Sequence, residues 1–298
     1  MWVRVAADTT SKDMKLSIII GLAIAGPFGC SLGTNDPESA GIVQQVISPN
    51  GISLNGISLN GISPNGISLN GIALNGASLN GFALDPTTFV GSTWTGTMSD
   101  GSPLTMRVDA ASRGTGANSD LGLYRVSYQT AASWQPLCGL DAGVAVLALA
   151  VPGTWNQAQG VPGGGAYTSS TSMFSWACRG KSIAKCVELG YKPWTGYTAQ
   201  VASCVRLLRA DYCGDGTPHT VDGQLVNLYD NVGIQTDTQR WTVEAEWTPA
   251  GARCLTRTGV TRFLELGLPT PPCAAALSRA VSCGPFGNGA VLVDEILY

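Results

Sequence analysis

An α+β fold held together by disulfides is what this 298-residue sequence predicts, and three observations carry that expectation. Beyond Cys30 the chain holds eight cysteines: Cys138, Cys178, Cys186, Cys204, Cys213, Cys254, Cys273 and Cys283. None sits in a CxxC pair, and with a single histidine no ordinary zinc site can be assembled, so bridges are the better assignment. Eight cysteines allow four disulfides, whose connectivity spacing alone does not give. Several stretches alternate apolar and polar residues with the period of antiparallel strands, and a few carry apolar residues at the spacing of short helices.

Composition narrows the function classes. Charged residues are only 12% and the net charge is −3, too weak and of the wrong sign for a nucleic-acid partner, whose phosphates attract a basic patch. No cofactor is implied.

The N-terminus, residues 1–29, has the form of an export signal. Met14-Lys15 precedes the apolar run Leu16 to Ala25, too short to span a bilayer but suited to a secretory signal, and translation is expected to start at Met14. Gly29-Cys30 closes it in the manner of a bacterial lipobox, with Pro27 and Phe28 where an aliphatic and a small residue are usual. Acylation of Cys30 would make it the new N-terminus, anchor the chain to a membrane and leave an even cysteine count. The other possibility is an ordinary cleaved signal. Residues 30–46 then form a polar tether.

From Ile47-Ser-Pro-Asn-Gly51 to Ala77-Ser-Leu-Asn-Gly81 the chain repeats every five residues, seven times, with Phe82-Ala-Leu-Asp-Pro86 as a degenerate eighth copy. The period fits neither helix nor strand alternation. It resembles the pentapeptide-repeat proteins, in which the central Leu (here Leu54, Leu59, Leu69, Leu74 and Leu79) and the residue two before it (Ile52, Ile57, Ile62, Ile67 and Ile72) point into a β-helix. These copies would make about two coils, fewer than the three or so units a solenoid needs. A short β-helical stub and a flexible stalk therefore both remain open over residues 47–86.

Residues 87–165 read as β-rich. Leu104, Met106 and Val108 share one strand face, Tyr124, Val126 and Tyr128 another, and Val144 to Val151 reads as a buried strand. The loop Gly160-Val-Pro-Gly-Gly-Gly165 is a domain boundary or a long hairpin, and Cys138 stitches the parts on either side of it. Residues 166–298 mix types. Ser182 to Leu189 and Thr198 to Ala210 read as helices; in the second, Val201, Cys204, Val205 and Leu208 form a buried stripe while Arg206 and Arg209 point elsewhere. Gln224 to Tyr229 is a strand. Trp241, Val243, Ala245 and Trp247 alternate with Thr242, Glu244 and Glu246, which predicts a half-buried strand with the glutamates outside. A helix from Ala274 to Ser282 lies between Cys273 and Cys283, and Val291 to Tyr298 is the last strand.

Three blocks in this half occur in a fixed order: Gly190-Tyr191-Lys192-Pro193-Trp194, then Arg209-Ala210-Asp211-Tyr212-Cys213-Gly214-Asp215-Gly216, then Glu244 through Cys254 with its Trp247-Thr-Pro-Ala-Gly251 core. With them the chain, roughly from Ser172 to Tyr298, resembles the ADYC domain family of exported bacterial proteins, named for the tetrapeptide Ala210 to Cys213. The resemblance implies an exported location and no assigned activity.

The middle block gathers the residues on which chemistry could rest. Asp211, Asp215, Gly216 and Asp222 stand at positions 1, 5, 6 and 12 of an EF-hand spacing, but Cys213 and Pro218 occupy positions that do not suit a calcium loop. His219 with Asp211 or Asp215 could supply a general base, although no G-x-S-x-G offers a nucleophile. Glu244 and Glu246 could pair as in a glycosidase. Cys213 as a nucleophile conflicts with the even cysteine count of an exported chain. The favoured assignment is a structural clasp in which the glycines permit a turn, an aspartate accepts backbone N–H bonds and Cys213 pins the loop. The sequence thus predicts a non-catalytic bacterial envelope lipoprotein, with no nucleic-acid partner, with a membrane anchor and with an envelope or extracellular protein or glycan as partner. The rival is a secreted hydrolase of carbohydrate or peptide using His219 with Asp211 or Asp215.

Overall fold

The computed structural model describes residues 85–97, 103–171, 173–280, 282–284 and 286–297, with two short strands from the repeats, Ile47–Pro49 and Ile67–Ser68. The leader, Cys30, the tether and the rest of the repeats lie outside the described residues, and so does the choice between stub and stalk.

Alternation builds a first antiparallel sheet in the order Ile67–Ser68, Met173–Cys178, Ala148–Pro152, Gly122–Gln129, Pro103–Arg113 and Thr93–Thr97, with Trp134–Pro136 also paired to Gly122–Gln129. Leu104, Met106, Val108, Tyr124, Val126 and Tyr128 are all buried, as their spacing predicts. They pack with Phe89, Trp94, Phe174 and Trp176. The rings meet edge-on, with centroids 4.8 Å apart for Phe174 and Trp176 and 5.3 Å for Tyr124 and Trp176, the arrangement their quadrupoles favour. The stretch from Val144 to Val151 is not one buried strand. Val144–Ala145 pairs with Leu140–Asp141 in an exposed hairpin, and only Ala148–Pro152 enters the sheet.

The second sheet is also antiparallel, ordered Ile47–Pro49, Leu225–Asp230, Leu292–Ile296, Thr242–Thr248 and Gly251–Leu255. Among the described residues four α-helices accompany the sheets: α1 (Ser182–Glu188), α2 (Thr198–Arg209), α3 (Arg262–Glu265) and α4 (Ala274–Ala280). Helix α2 is central. Its stripe of Val201, Cys204, Val205 and Leu208 joins one hydrophobic cluster with Leu149, Val151 and Trp155 from the first half and Ala245, Trp247 and Leu292 from the second sheet. The described residues all fall in one compact unit, Gln44–Tyr298. Among them no helix is long and apolar enough to cross a membrane.

Every residue of α2 from Gln200 to Arg209 is buried, so Arg206 and Arg209, which point away from the stripe as expected, end in the interior. Glu244 and Glu246 are fully buried too, against the expectation that they lie on an outer face. Packing on both faces of an element overrides the half-exposed pattern that its alternation suggests, and it succeeds only where each buried charge finds a partner.

All eight cysteines are bridged: Cys138–Cys178, Cys186–Cys204, Cys213–Cys273 and Cys254–Cys283. The first ties the turn just before the exposed hairpin to the end of Met173–Cys178, and the second joins α1 to α2. The other two hold the segment around α4 at both of its ends. Each bridge of this kind stabilises a fold by about 2–4 kcal/mol.

Candidate functional site

The tetrapeptide begins where α2 ends. Ala210 terminates the helix in the left-handed region, φ 51°, and its methyl is fully buried in the core. A non-glycine residue there costs about 1–2 kcal/mol, so the surroundings must hold it in place. Asp211 does much of that. Its Oδ1 accepts the Asp215 N–H at 3.1 Å, and its Oδ2 accepts the Gly216 N–H at 3.0 Å and pairs with Arg206 Nη1. Burial pushes the Asp211 carboxyl above its ordinary value, opposed by the charges of Arg206 and Arg209. Arg209, drawn down to about 10 chiefly by burial, donates to Gly216 O at 2.5 Å.

Two glycine-bearing turns close around this carboxylate. Arg206 Nε donates to Pro249 O at 3.2 Å and its Nη1 to Gly164 O at 2.5 Å. The Ala252 N–H reaches Tyr212 O at 2.9 Å. Gly214, at φ 67°, lies so close to Ala250 that a Cβ there would collide with the carbonyl oxygen. A Cβ on Gly165 would sit 2.6 Å from Arg206 Nη1 and 3.0 Å from Asp211 Oδ2. The Gly160–Gly165 loop, which connects the paired strands Thr154–Trp155 and Tyr167–Thr168, is therefore the seat of the turn, and its lack of side chains is what lets the backbones meet.

Tyr212 points into the core and is 1% exposed. Its ring lies 5.3 Å from that of Trp247 and 5.5 Å from that of Phe263, and its hydroxyl donates to Glu244 Oε1 at 2.6 Å. Glu244 faces Tyr212 because the strand Thr242–Thr248 bulges there: Val243 and Ala245 pair with the consecutive residues Glu295 and Asp294, leaving Glu244 as the extra residue. Glu246 makes different contacts, accepting the Gly284 and Gly287 N–H groups at 3.2 Å each and lying 3.6 Å from Cys254 Sγ. The two glutamates thus serve separate networks rather than a catalytic pair.

Arg262 completes the first network. Its Nε meets Glu244 Oε2 at 2.6 Å, its Nη2 meets Asp294 Oδ2 at 2.8 Å, and its Nη1 donates to Leu207 O at 2.8 Å. Trp247 Nε1 donates to Asp294 Oδ1 at 2.7 Å. Burial alone would raise the Glu244 carboxyl, but the Arg262 charge and the hydrogen bonds outweigh it and hold Glu244 below its usual value. Burial and the neighbouring Glu244 charge push Asp294 well above its own. One cation thus stands between two buried carboxyls pushed in opposite directions, Glu244 down and Asp294 up. Neither Arg262 nor Asp294 stands in a motif that could have drawn notice; only the folded chain brings them to Tyr212.

The remaining candidate residues each make contacts of their own among the described residues. His219 is 6% exposed; its Nδ1 lies 3.3 Å from Ala210 O and its backbone N–H donates to Arg209 O at 3.1 Å. Its ring stands 5.9 Å from Tyr212, and its hydrogen bonds and ion pairs among the described residues include neither aspartate. Asp215 Oδ1 accepts the Thr217 N–H at 2.9 Å. Asp222 is exposed and lies 3.5 Å from Lys181 Nζ. Among the described residues no three His, Cys, Asp or Glu side chains are placed to hold a metal ion. Cys213 is bridged to Cys273, whose N–H also points at Cys213 Sγ from 3.3 Å.

The other two blocks also act as fasteners. Tyr191 donates its hydroxyl to Asp230 Oδ2 at 2.9 Å, and Lys192 Nζ pairs with Asp120 at 2.6 Å, linking the turn after α1 to both halves of the chain.

No curated protein and no solved structure matches the chain. The ADYC domain matches residues 86–261, so the shared unit starts just before the first sheet's Thr93–Thr97 strand, well before Ser172, and takes in the Gly164–Gly165 seat as well as the tetrapeptide. Arg262, Cys273 and Asp294, which complete the clasp, lie beyond it. With more than half its length matched, the chain belongs to the ADYC domain family.

Proposed function

We propose that this protein is a bacterial envelope lipoprotein, acylated at Cys30, whose ADYC domain is a non-catalytic binding or structural module for an envelope or extracellular protein or glycan. The observation that carries this reading is that each residue of the tetrapeptide is engaged internally: Ala210 in the core, Asp211 on Arg206 and backbone N–H groups, Tyr212 on Glu244, Cys213 on Cys273. Groups so engaged fix a fold and are not presented to a substrate. Four disulfides fit an oxidising compartment, which supports export.

Two experiments test it. Cys30→Ser should move the protein from the membrane to the soluble fraction, and unchanged fractionation would count against the anchor. The double variant His219→Ala/Asp215→Ala should leave unaltered any hydrolytic activity found by screening glycan and peptide substrates. Loss of such an activity with disulfides and melting retained would establish the hydrolase instead.

A further inference from the structure

The edge strand Gly251–Leu255 and the loop after it, together with α3 and α4, line an open pocket of about 500 Å³ that touches the clasp through Phe263, whose ring also packs on Tyr212. Leu255, Phe263 and Leu264 form its apolar wall, and Ala275 of α4 faces them. A volume in this range suits a small molecule and is too small for a folded partner. Its wall is also unusually well fixed. Helix α4 runs between Cys273 and Cys283, and those cysteines are bridged to two different elements, the tetrapeptide turn and the edge strand.

The polar lining is sparse and uneven. Arg257 is the one ionisable residue of the lining, which contains no acid. Its Nε donates to Ser278 O at 2.8 Å and its Nη2 reaches Arg279 O at 3.4 Å, which orients the guanidinium and leaves Nη1 with no partner among the described residues. Thr261, 4% exposed, lines the same cavity and has a hydroxyl with no partner among the described residues, a rare condition for a buried polar group.

We propose that this cavity binds a small amphiphilic anion: an apolar chain lies against Leu255, Phe263 and Leu264, and its acid group meets Arg257. The site is independent of any anchor at Cys30 and of any activity at His219. Decanoate is a probe of this chemistry, and decanol is its neutral counterpart. Titrated calorimetrically into the purified full chain, decanoate binds saturably and more tightly than decanol. Arg257→Gln weakens decanoate about tenfold, the scale of one charge-assisted hydrogen bond, and leaves decanol unchanged. Ala275→Trp, at an exposed position of α4, fills the cavity and abolishes binding of both; Ser278→Phe fills it from the same wall and serves if the first variant melts early. The proposal is overturned if decanoate shows no saturable binding, if a folded cavity-filling variant still binds it, or if Arg257→Gln weakens both probes alike.

Discussion

Replacing Tyr212 by Phe isolates one bond at the centre of the clasp. The ring keeps its neighbours at 5.3, 5.5 and 5.9 Å, and only the hydroxyl that meets Glu244 Oε1 at 2.6 Å is lost. Glu244 is held as a carboxylate by Arg262, so the bond is charge-assisted, and it lies where water does not reach. Glu244 Oε1 keeps the Arg262 N–H at 2.5 Å, so the carboxylate is not orphaned. The loss is therefore that of one hydrogen bond to a charged group, about 1.5–3 kcal/mol. For a domain of this size that lowers the melting temperature by about 3–12 °C, at about 2–4 °C per kcal/mol. The assay is thermal unfolding followed by near-UV circular dichroism at neutral pH with the disulfides intact. In a Glu244→Gln background the same Tyr212→Phe change has a smaller effect, because the charge that strengthens the bond is gone. A Tyr212→Phe protein that melts within a degree of the wild type would refute the role given to this hydroxyl.

Arg262→Met removes the cation that pairs with both Glu244 and Asp294 and leaves two buried carboxyls facing each other; denaturant titration should show a loss of about 3–5 kcal/mol, and a neutral result would mean the network is dispensable. Gly214→Ala places a methyl at φ 67° against Ala250 O, and should destabilise more than Gly223→Ala, where φ is 94° but no atom lies within 4 Å of the new carbon. Burial raises the Tyr191 and Tyr212 hydroxyls well above their ordinary value and Tyr124 to about 12, so their contribution to stability is complete below pH 10 and declines above it as the unfolded chain ionises first. Absorbance at 295 nm should show these three titrating only as the protein unfolds in alkali; early, reversible ionisation of all eight tyrosines would contradict their burial. Alkylation without reductant followed by mass analysis should label none of the eight bridged cysteines.

Much of this protein was legible along the chain because it rests on local pattern. The period-two faces of Leu104–Val108 and Tyr124–Tyr128, the helices at Ser182 and Thr198, and the expectation that all eight cysteines are bridged follow from which residues are apolar or sulfur-bearing and how they are spaced or counted. The family resemblance was visible in the same way, since Ala210 to Cys213 is contiguous. Tertiary structure decided the rest. It set which cysteine meets which, because a bridge depends on Cα separations of 5.4 to 5.8 Å between distant segments. It turned Arg206, Arg209, Glu244 and Glu246 inward, against the polar-outside rule, because each met a partner from another element. It placed Glu244 beside Tyr212 through a one-residue bulge, an offset that exists only relative to the Leu292–Ile296 strand. Spacing reports what one element would do in water; whether a charge can be buried depends on what the fold brings to meet it.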